Sequence, residues 1–405
     1  MAIDNKDKKV LNVPHLRFPE FSGEWKKHSL GEIGETIIGL TYKPSDVVDN
    51  NGIIVFRSSN IKNGMIDYSD LVRVNKHIKD KIITKENDIL VCARNGSQRL
   101  IGKNAIIKQE DANNTFGAFM MVYRANDNPF ILPLLSTKKY FSQVGENLGA
   151  RINQITTSDF NGFEFYFPEN HAERTKIAEL FRLLDERIAT QNKIIYKLKS
   201  LIRGIMVELQ KRGLSNGTWK KVLLSNVLTE RNELNKSLYP VYSVSVIQGI
   251  VNQMEYLGRS FAASDTSKYH VVHYGDLVYT KSPTGSFPYG IIKQSYNQNE
   301  VAVSPLYGVY EPKTFSTGVF LHEYFKSELN TLNYLHPLVQ KGAKNTINIA
   351  NQRFLESYVA IPSNANELLA ISKLLCSLNT KLEFLQNILK QSQGQKQYLL
   401  RQMFI

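Results

Sequence analysis

The chain contains two copies of one plan, and this duplication constrains its fold more than any other feature. "GEWKKHSL" contains Trp25 and "NGTWKKVLL" contains Trp219, which are 194 residues apart. Two longer runs also match: "GARINQITTSDFNGFEFYFP" from Gly149 to Pro168, and "GAKNTINIANQRFLESYVAIP" from Gly342 to Pro362. Their prolines are again 194 residues apart, and their glycines 193. Matching anchors over most of the chain predict two domains of the same fold.

A long heptad pattern follows each proline. Positions that step by four and three are Leu184, Ile188, Gln191, Ile195, Leu198, Ile202, Ile205 and Leu209 in the first copy, and Leu378, Leu382, Leu385, Leu389, Ser392, Lys396, Leu399 and Met403 in the second. The pattern predicts two helices, over about residues 173–210 and 367–404. A 38-residue helix measures about 57 Å, more than one small domain covers. We therefore expect the helices to pair as a coiled coil, with weaker packing at Gln191, Ser392 and Lys396.

The chain between the helices decides how they pair. Residues 213–366 form about 150 residues, whose compact radius of gyration is about 15 Å. Parallel helices would require this segment to carry the chain some 57 Å back to the start of the second helix. An antiparallel pair requires no such return, so we expect an antiparallel coiled coil with one domain at each end.

Short β-branched runs broken by Gly, Asn, Ser and Pro fill the rest of each copy, as in "NGIIVFRSSNIKNGMI" and "SLYPVYSVSVIQGIV". The predicted fold class is therefore α+β, with two tandem-duplicated, mixed and strand-rich domains separated by two long helices. The predicted boundaries are 1–168 for the first domain, 169–212 for the first helix, 213–365 for the second domain and 366–405 for the second helix.

The charge balance is basic, with 50 Lys and Arg against 37 Asp and Glu, a net charge of +13. This surplus favours a polyanionic partner, and the alternative is surplus surface lysine that only aids solubility. Cys92 and Cys376 are isolated, which fits a reducing cytosol without a disulfide or metal framework. The chain starts with polar residues and has no apolar run of about 18 to 20 residues, so we expect a cytoplasmic protein.

Polar and basic residues cluster at the breaks between the predicted strands. The candidate DNA-binding residues are Arg57, Ser58, Asn60, Lys62, Arg94, Asn95, Ser97 and Arg99 in the first domain, and Tyr242, Ser243, Arg259, Lys281, Ser282 and Thr284 in the second. Arg and Asn can each read a base edge with two hydrogen bonds, while Lys and Ser suit phosphates. The competing interpretation of each loop is a solvated turn.

Motifs for catalysis are missing from the sequence. It has no phosphate loop ending in Gly-Lys-Ser/Thr, no His-Glu-x-x-His and no Gly-x-Ser-x-Gly. Asn128-Pro129-Phe130 resembles the site of an adenine methyltransferase but lacks the second proline. "GDLVYTK" lacks the nuclease carboxylate two residues before its lysine. We expect a non-catalytic chain that binds no cofactor or metal itself.

Several stretches together resemble the specificity subunit of type I restriction-modification systems. They are "VPHLRFPEFSGEWKKHSLGEIGE", "VFRSSNIKNG", "NDILVCARNGS" and, most specific, "FYFPENHAERTKIAELFRLLDERI". The second copy of the last stretch, "VAIPSNANELLAISKLLCSLNTKLEFL", is more divergent, with Asn379 where the first has Asp185. The resemblance extends over nearly the whole chain.

The resemblance implies a role in phage defence in which each strand-rich domain is a target recognition domain for one half of a bipartite site in double-stranded DNA. It implies that the helices act as spacers, that two modification (methyltransferase) subunits clamp around them, and that restriction subunits add translocation and cleavage. S-adenosylmethionine, ATP and Mg would then belong to those partners. Since the copies share few loop residues, the two domains should read different sequences.

Two other functions stay open at the level of sequence. One is a cytoplasmic coiled-coil adaptor that joins two protein ligands without DNA specificity. The other is a self-sufficient DNA methyltransferase. The sequence does not reveal the bases read, the spacer length, or whether a restriction subunit accompanies the modification subunits.

Overall fold

The computed structural model describes residues 11–148, 153–341 and 347–405. Gly149 and Gly342, which open the repeated runs, lie outside this part of the chain. The chain divides into two compact units, unit 1 with Met1–Gln191 and Ile388–Ile405, and unit 2 with Asn192–Asn387. This division cuts through both long helices, so the predicted boundaries at 168, 212 and 365 stay predictions.

Unit 1 is built from short strands followed by helices. Its strands are β1 (Lys26–Ser29), β2 (Glu35–Ile38), β3 (Val47–Val48), β4 (Ile53–Phe56), β5 (Ile61–Lys62), β6 (Met65–Ile66), β7 (Arg73–Val74), β8 (Ile89–Cys92), β9 (Asn104–Ile106), β10 (Thr115–Phe116), β11 (Met120–Arg124) and β12 (Glu164–Phe167). Its helices are α1 (Leu30–Ile33), α2 (Asn128–Leu134), α3 (Lys138–Leu148), α4 (Thr157–Asn161) and the first part of α5 (His171–Ser215).

Unit 2 repeats this order. Its strands are β13 (Trp219–Leu223), β14 (Leu228–Glu230), β15 (Tyr242–Ser245), β16 (Gly249–Asn252), β17 (His270–Val272), β18 (Leu277–Tyr279), β19 (Ile292–Gln294), β20 (Val301–Val303), β21 (Gly308–Pro312), β22 (Gln340–Lys341), β23 (Ile347–Asn348) and β24 (Tyr358–Pro362). Its helices are α6 (Gln253–Leu257), α7 (Phe315–Tyr324), α8 (Glu328–Leu335), α9 (Asn351–Phe354) and the first part of α10 (Ala365–Gln402).

The sheet topology confirms the duplication. Strands β2-β11-β8-β9 form a four-stranded antiparallel sheet in unit 1, and β14-β21-β18-β19 form the same sheet in unit 2. A two-stranded sheet accompanies each, β1 with β12 and β13 with β24. The predicted strand-rich α+β class is therefore confirmed in both units.

The register of the strands shows where the copies differ in length. Lys26 pairs with Phe167 in the first copy, and Lys220 pairs with Ile361 in the second. Both members of the second pair lie 194 residues after their counterparts in the first. In the central sheet, however, Ile89 lies opposite Ile106 and Leu277 opposite Gln294, and both offsets are 188. The second copy is thus six residues shorter before β18 and regains that length before β24. Loops between shared strands absorb the difference.

A buried aspartate opens the same strand in each copy. Asp88 and Asp276 are 188 residues apart, and each carboxylate accepts a hydrogen bond from the backbone N–H three residues earlier, at 2.8 and 2.9 Å. The preceding residue is left-handed in both turns, Asn87 with φ 67° and Gly275 with φ 90°. Only Gly, and less often Asn, adopts this conformation readily.

The cation that balances each aspartate comes from a different strand. Arg124, at the end of β11, binds Asp88 at 2.8 and 2.7 Å. In unit 2 it is Arg231, just after β14, that binds Asp276 at 2.8 Å. Because a buried carboxylate needs a paired charge, each copy retained the ion pair although the position of the arginine changed.

In each unit the repeated tryptophan forms a hydrogen bond from the β1 or β13 region to a long helix. The indole Nε1–H of Trp25 donates to Glu173 at 3.3 Å, and that of Trp219 donates to Glu367 at 2.8 Å. Both tryptophans are buried, and 194 residues separate the two glutamates as well. In unit 1 the same carboxylate also receives two hydrogen bonds from Arg17, each at 2.7 Å.

Within unit 1 the two long helices run antiparallel. The ring centroids of Phe181 and Phe404 are 5.6 Å apart, and further along α5 the Asp185 carboxylate pairs with Lys396 Nζ at 2.5 Å. Contacts therefore move towards the start of α10 as α5 advances. The ion pair also explains how a lysine is accommodated at a heptad position that we expected to be weak.

Within unit 2 the later part of α5 and the earlier part of α10 share one core. Ile202 and Met206 of α5 belong to a buried cluster with Leu368, Ile371 and Leu375 of α10. Late positions of one helix again lie with early positions of the other. This is the antiparallel order predicted from the sequence.

All of the predicted seam positions are buried or half-buried. Buried members are Leu184, Ile195, Ile202, Ser392 and Met403, and half-buried members are Ile188, Gln191, Leu198, Ile205, Leu209, Leu378, Leu382, Leu385, Leu389, Lys396 and Leu399. Met206 is more buried than its neighbour Ile205. The heptad pattern thus locates the buried stripe to within one residue.

Two glycines of α5 provide a test of this packing. A Cβ at Gly213 would lie 2.2 Å from Cδ1 of Trp219, whereas a Cβ at Gly204 would meet nothing within 4 Å. We expect Gly213→Ala to destabilise the protein by about 1–3 kcal/mol through overpacking. Gly204→Ala should stabilise it by about 0.5–1 kcal/mol because alanine favours the helix. Urea unfolding of both variants measures the difference, and equal shifts would refute the close approach at Trp219.

Candidate nucleic-acid interface

Two loops that the sequence singled out meet on one surface of unit 1. The amide Nδ2 of Asn95, after β8, donates to the Ser58 hydroxyl, after β4, at 2.9 Å. Lys103 Nζ reaches the backbone carbonyl of the same serine at 3.5 Å. The residues at 57–62 and 94–99 therefore belong to one continuous loop surface, which we call the unit 1 loop surface.

Arg94 is an exposed cation on the unit 1 loop surface that is stacked on an aromatic ring. Its guanidinium carbon lies 5.1 Å from the centroid of the Phe119 ring, and its backbone N–H donates to the Phe119 carbonyl at 3.0 Å. Both side chains are exposed, and no carboxylate among the described residues pairs with Arg94. Stacking restrains a planar guanidinium while leaving its N–H donors free for a ligand.

Arg57 and Lys62 are cations of a different kind. Arg57 forms an ion pair with Asp70 at 2.9 Å, and Lys62 pairs with Asp67 at 2.9 Å. Hydrogen bonds from Ser69 and Lys62 lower the pKa of Asp67 to about 2. A ligand anion must compete with these carboxylates, so we expect both cations to contribute less than Arg94.

Asn60 does not fit its predicted role in DNA contact. Its side chain is fully buried, and its Oδ1 accepts the backbone N–H of Arg57 at 2.8 Å. Its Nδ2 donates to the carbonyls of Asp67 and Asp70 at 3.0 and 2.8 Å. The amide is therefore occupied in shaping the loop. Asparagine is common in such turns and can also contact bases, and sequence alone does not separate the two roles.

The other predicted residues of this surface differ in exposure. Arg99 is exposed in the short turn Gln98–Leu100. Ser97 is half-buried, and its backbone N–H donates to Asn95 Oδ1 at 3.0 Å. That bond orients the Asn95 amide, so Ser97 contributes to the loop shape in addition to any contact of its own.

In unit 2 a second group gathers at the β15–β16 hairpin. Ser243 Oγ accepts a hydrogen bond from Gln253 Nε2 at 3.0 Å, and Gln253 Oε1 accepts the backbone N–H of Phe261 at 2.8 Å. The guanidinium of Arg259 lies 4.4 Å from the centroid of the Phe261 ring. Arg259 and Phe261 are both exposed, while Tyr242 is half-buried in a small core.

The remaining unit 2 candidates occupy the loop after β18. Lys281 is half-buried and its pKa is lowered by burial, whereas Ser282 is exposed. Thr284 is half-buried, its hydroxyl donates to the Ser282 carbonyl at 3.0 Å, and its backbone pairs with Phe287. This loop follows the same strand of the duplicated sheet as the Arg94 loop, because β8 and β18 are equivalent.

Sequence reasoning missed the aromatic partners of the two arginines. Phe119 and Phe261 are each 58% exposed, which is unusual for phenylalanine. In the sequence Phe119 reads as an ordinary strand residue beside Met120. Only for Phe261 is there a local signal, since it lies two residues after Arg259.

The structure bears on three other properties of the described part of the chain, which are metal binding, thiol reactivity and membrane insertion. No group of three or more His, Cys, Asp or Glu side chains in it is arranged to hold a metal ion. Burial raises the pKa of the Cys92 thiol to about 11, which makes it a poor nucleophile. None of its helices is long and apolar enough to span a bilayer.

The chain is similar to known proteins in sequence and in fold. The family model "Type I restriction modification DNA specificity domain" matches residues 22–200. The chain is 25% identical over 308 residues to the type I restriction enzyme EcoKI specificity subunit of Escherichia coli (strain K12), covering 68% of this chain and 66% of that protein. It is 28% identical over 163 residues to the StySPI specificity subunit of Salmonella potsdam, covering 38% and 35%. These alignments span less than two thirds of either relative.

One solved structure shares the fold over nearly the whole length. It is the crystal structure of the S subunit of a type I restriction-modification system from M. genitalium. The TM-score is 0.62 and the sequence identity 16%, with 97% of this chain and 99% of that chain covered. At this identity the likeness is one of fold.

Asn60 provides a test of how the unit 1 loop surface is held. Asn60→Ala leaves one buried N–H group and two carbonyls without their partner, which should destabilise the protein by about 1–3 kcal/mol. The exposed neighbour Ser59 is the control, and Ser59→Ala should change stability by less than about 0.5 kcal/mol. Urea unfolding of both variants measures this. Equal effects would contradict a structural role for Asn60.

Proposed function

We propose that the chain is a specificity subunit of a type I restriction-modification system and that it recognises a bipartite, asymmetric site in double-stranded DNA. Each strand-rich domain reads one half of the site. The observation that carries this proposal is a duplicated sheet whose equivalent loops bear different side chains. A shared frame places both sets of loops in the same way, while different loops read different bases.

The loop chemistry of each unit supports a direct reading of bases. Unit 1 offers the stacked Arg94 beside Asn95, and arginine and asparagine are the side chains that pair bidentately with guanine and adenine. Unit 2 offers Arg259 on Phe261, together with Gln253. Each unit thus has a stacked arginine suited to guanine, while the amides of Asn95 and Gln253 are held by hydrogen bonds within their loops and must exchange these to read adenine.

We propose further that catalysis resides in partner subunits. Two modification subunits dock on the long helices, and restriction subunits join them. S-adenosylmethionine, ATP and Mg would be bound by those partners rather than by this chain. Exposed apolar side chains occur on both long helices, Ile194 and Leu201 on α5 and Leu374 and Phe384 on α10, and they support a docking role because water is a poor environment for them.

DNA binding is tested most simply through its salt dependence. Filter binding of the purified full-length chain to duplex DNA is measured at 50 and 200 mM salt. If six to ten phosphates are contacted, affinity should fall by about 10³- to 10⁵-fold between the two. An adaptor without DNA specificity would show no such binding, and methylation by the chain alone would favour a self-sufficient methyltransferase.

Arg94 and Arg57 form a matched pair for testing base readout. Arg94→Ala should make one or two positions degenerate in one half of the methylated motif, since a bidentate pair contributes about 1–3 kcal/mol of discrimination. Arg57→Ala should have a smaller effect because Asp70 already binds that guanidinium. Methylation mapping in hosts that express each variant measures both. Equal damage to the two halves would contradict independent domains.

A further inference from the structure

The second half of α5 carries a run of cations without partners. Lys193, Lys197, Lys199 and Arg203 are all exposed. In the part of the chain that the structure describes, no carboxylate lies within ion-pairing distance of any of them. Arg203 donates a hydrogen bond to the Ser200 hydroxyl at 3.5 Å. We call these four residues the basic face.

Two cations elsewhere on α5, Arg182 and Arg212, are paired with carboxylates of the same helix. Arg182 binds Glu179 at 2.7 Å and Glu186 at 2.5 Å, and Arg212 binds Glu208 at 2.5 Å. The four cations of the basic face have no carboxylate three or four residues away in the helix.

The duplicated helix supplies an internal comparison. The counterparts of the basic face, 194 residues later, are Asn387, Gln391, Gln393 and Gln397. All four are uncharged amides, yet α10 is continuous through this region. The positive charges are therefore not needed to form or pair the helix.

The charges also carry a cost for the helix. Lys197 follows Lys193 by four residues, and Arg203 follows Lys199 by four, and like charges at this spacing destabilise a helix. Lys193 and Lys197 fall on the side of α5 opposite the buried Ile195, whereas Lys199 and Arg203 lie beside the seam, and none of the four occupies a seam position. A cluster of like charges that disfavours the helix and is not needed to form it is explained by an anionic ligand.

We infer that the basic face binds the phosphate backbone of duplex DNA without regard to base sequence. This inference rests on the proposed function, which brings a duplex to the chain. The four cations span about 15 Å of helix at about 1.5 Å per residue. B-DNA presents about one negative charge per 1.7 Å of its axis, so several phosphates lie within that span. Flexible lysines suit such point-charge contacts.

The asymmetry of the basic face argues against docking of the modification subunits as its purpose. Two identical subunits that dock on a duplicated chain would meet equivalent surfaces on both helices. The amides of α10 at equivalent positions do not provide an equivalent charge. A backbone contact that adds affinity on one side requires no such match.

The test is a variant that gives α5 the residues of α10, Lys193→Asn, Lys197→Gln, Lys199→Gln and Arg203→Gln. Binding of the full-length chain to duplexes of two unrelated sequences is measured across a salt series. The slope of log affinity against log salt should become shallower by about 3 to 4, because each phosphate contact contributes about 0.9. The loss should be the same for both sequences. Helix content by circular dichroism should be unchanged.

The control variant is Arg182→Gln with Arg212→Gln, which removes cations of the same helix that already have carboxylate partners. Its slope should change by less than one. An unchanged slope in the basic-face variant, with binding by the wild-type chain intact, would overturn this inference alone. Loss of co-purification with a modification subunit at an unchanged slope would also overturn it and identify a protein-docking face. Absence of duplex binding by the wild-type chain would overturn the proposed function and this inference together.

Discussion

Burial of the apolar stripe on each long helix is the constraint on which the rest of the structure depends. Neither α5 nor α10 can leave its heptad positions in water, and each unit contains a stretch of both helices. In unit 1 the seam accommodates a lysine because Asp185 lies opposite Lys396. In the second copy the residues at the corresponding positions are Asn379 and Ile202, so the ion pair is not repeated. Asn379 instead donates to Glu323 at 2.8 Å.

Duplication fixed the frame and left the surface free to diverge. The Trp–Glu bond, the four-stranded order and the buried aspartate occur in both copies. The loops differ in length, and the arginine that pairs with the aspartate comes from a different strand in each copy. The residues of α10 that correspond to the basic face of α5 are uncharged. Features common to both copies therefore concern folding, and exposed features confined to one copy are candidates for recognition.

Sequence periodicity predicted the helices well because their determinants are local. The expected spans of about 173–210 and 367–404 correspond to His171–Ser215 and Ala365–Gln402. The strand order was not predictable in the same way, since β11 pairs with β2 and β8 across long stretches of chain. The change of offset from 194 to 188 was hidden because it lies in loops without shared residues. Asn60 and Phe119 show the limit for sites: the same residue types serve a turn or a ligand, and only their burial distinguishes them.

We propose that one chain with two similar domains selects a divided DNA sequence for methylation. The direct measurement is long-read methylation mapping of the host genome with and without this gene. The account predicts one methylated motif of two short, different halves separated by an undefined gap of fixed length, and its disappearance when the gene is deleted. A motif that persists after deletion, or one uninterrupted methylated sequence that depends on the gene, would contradict it.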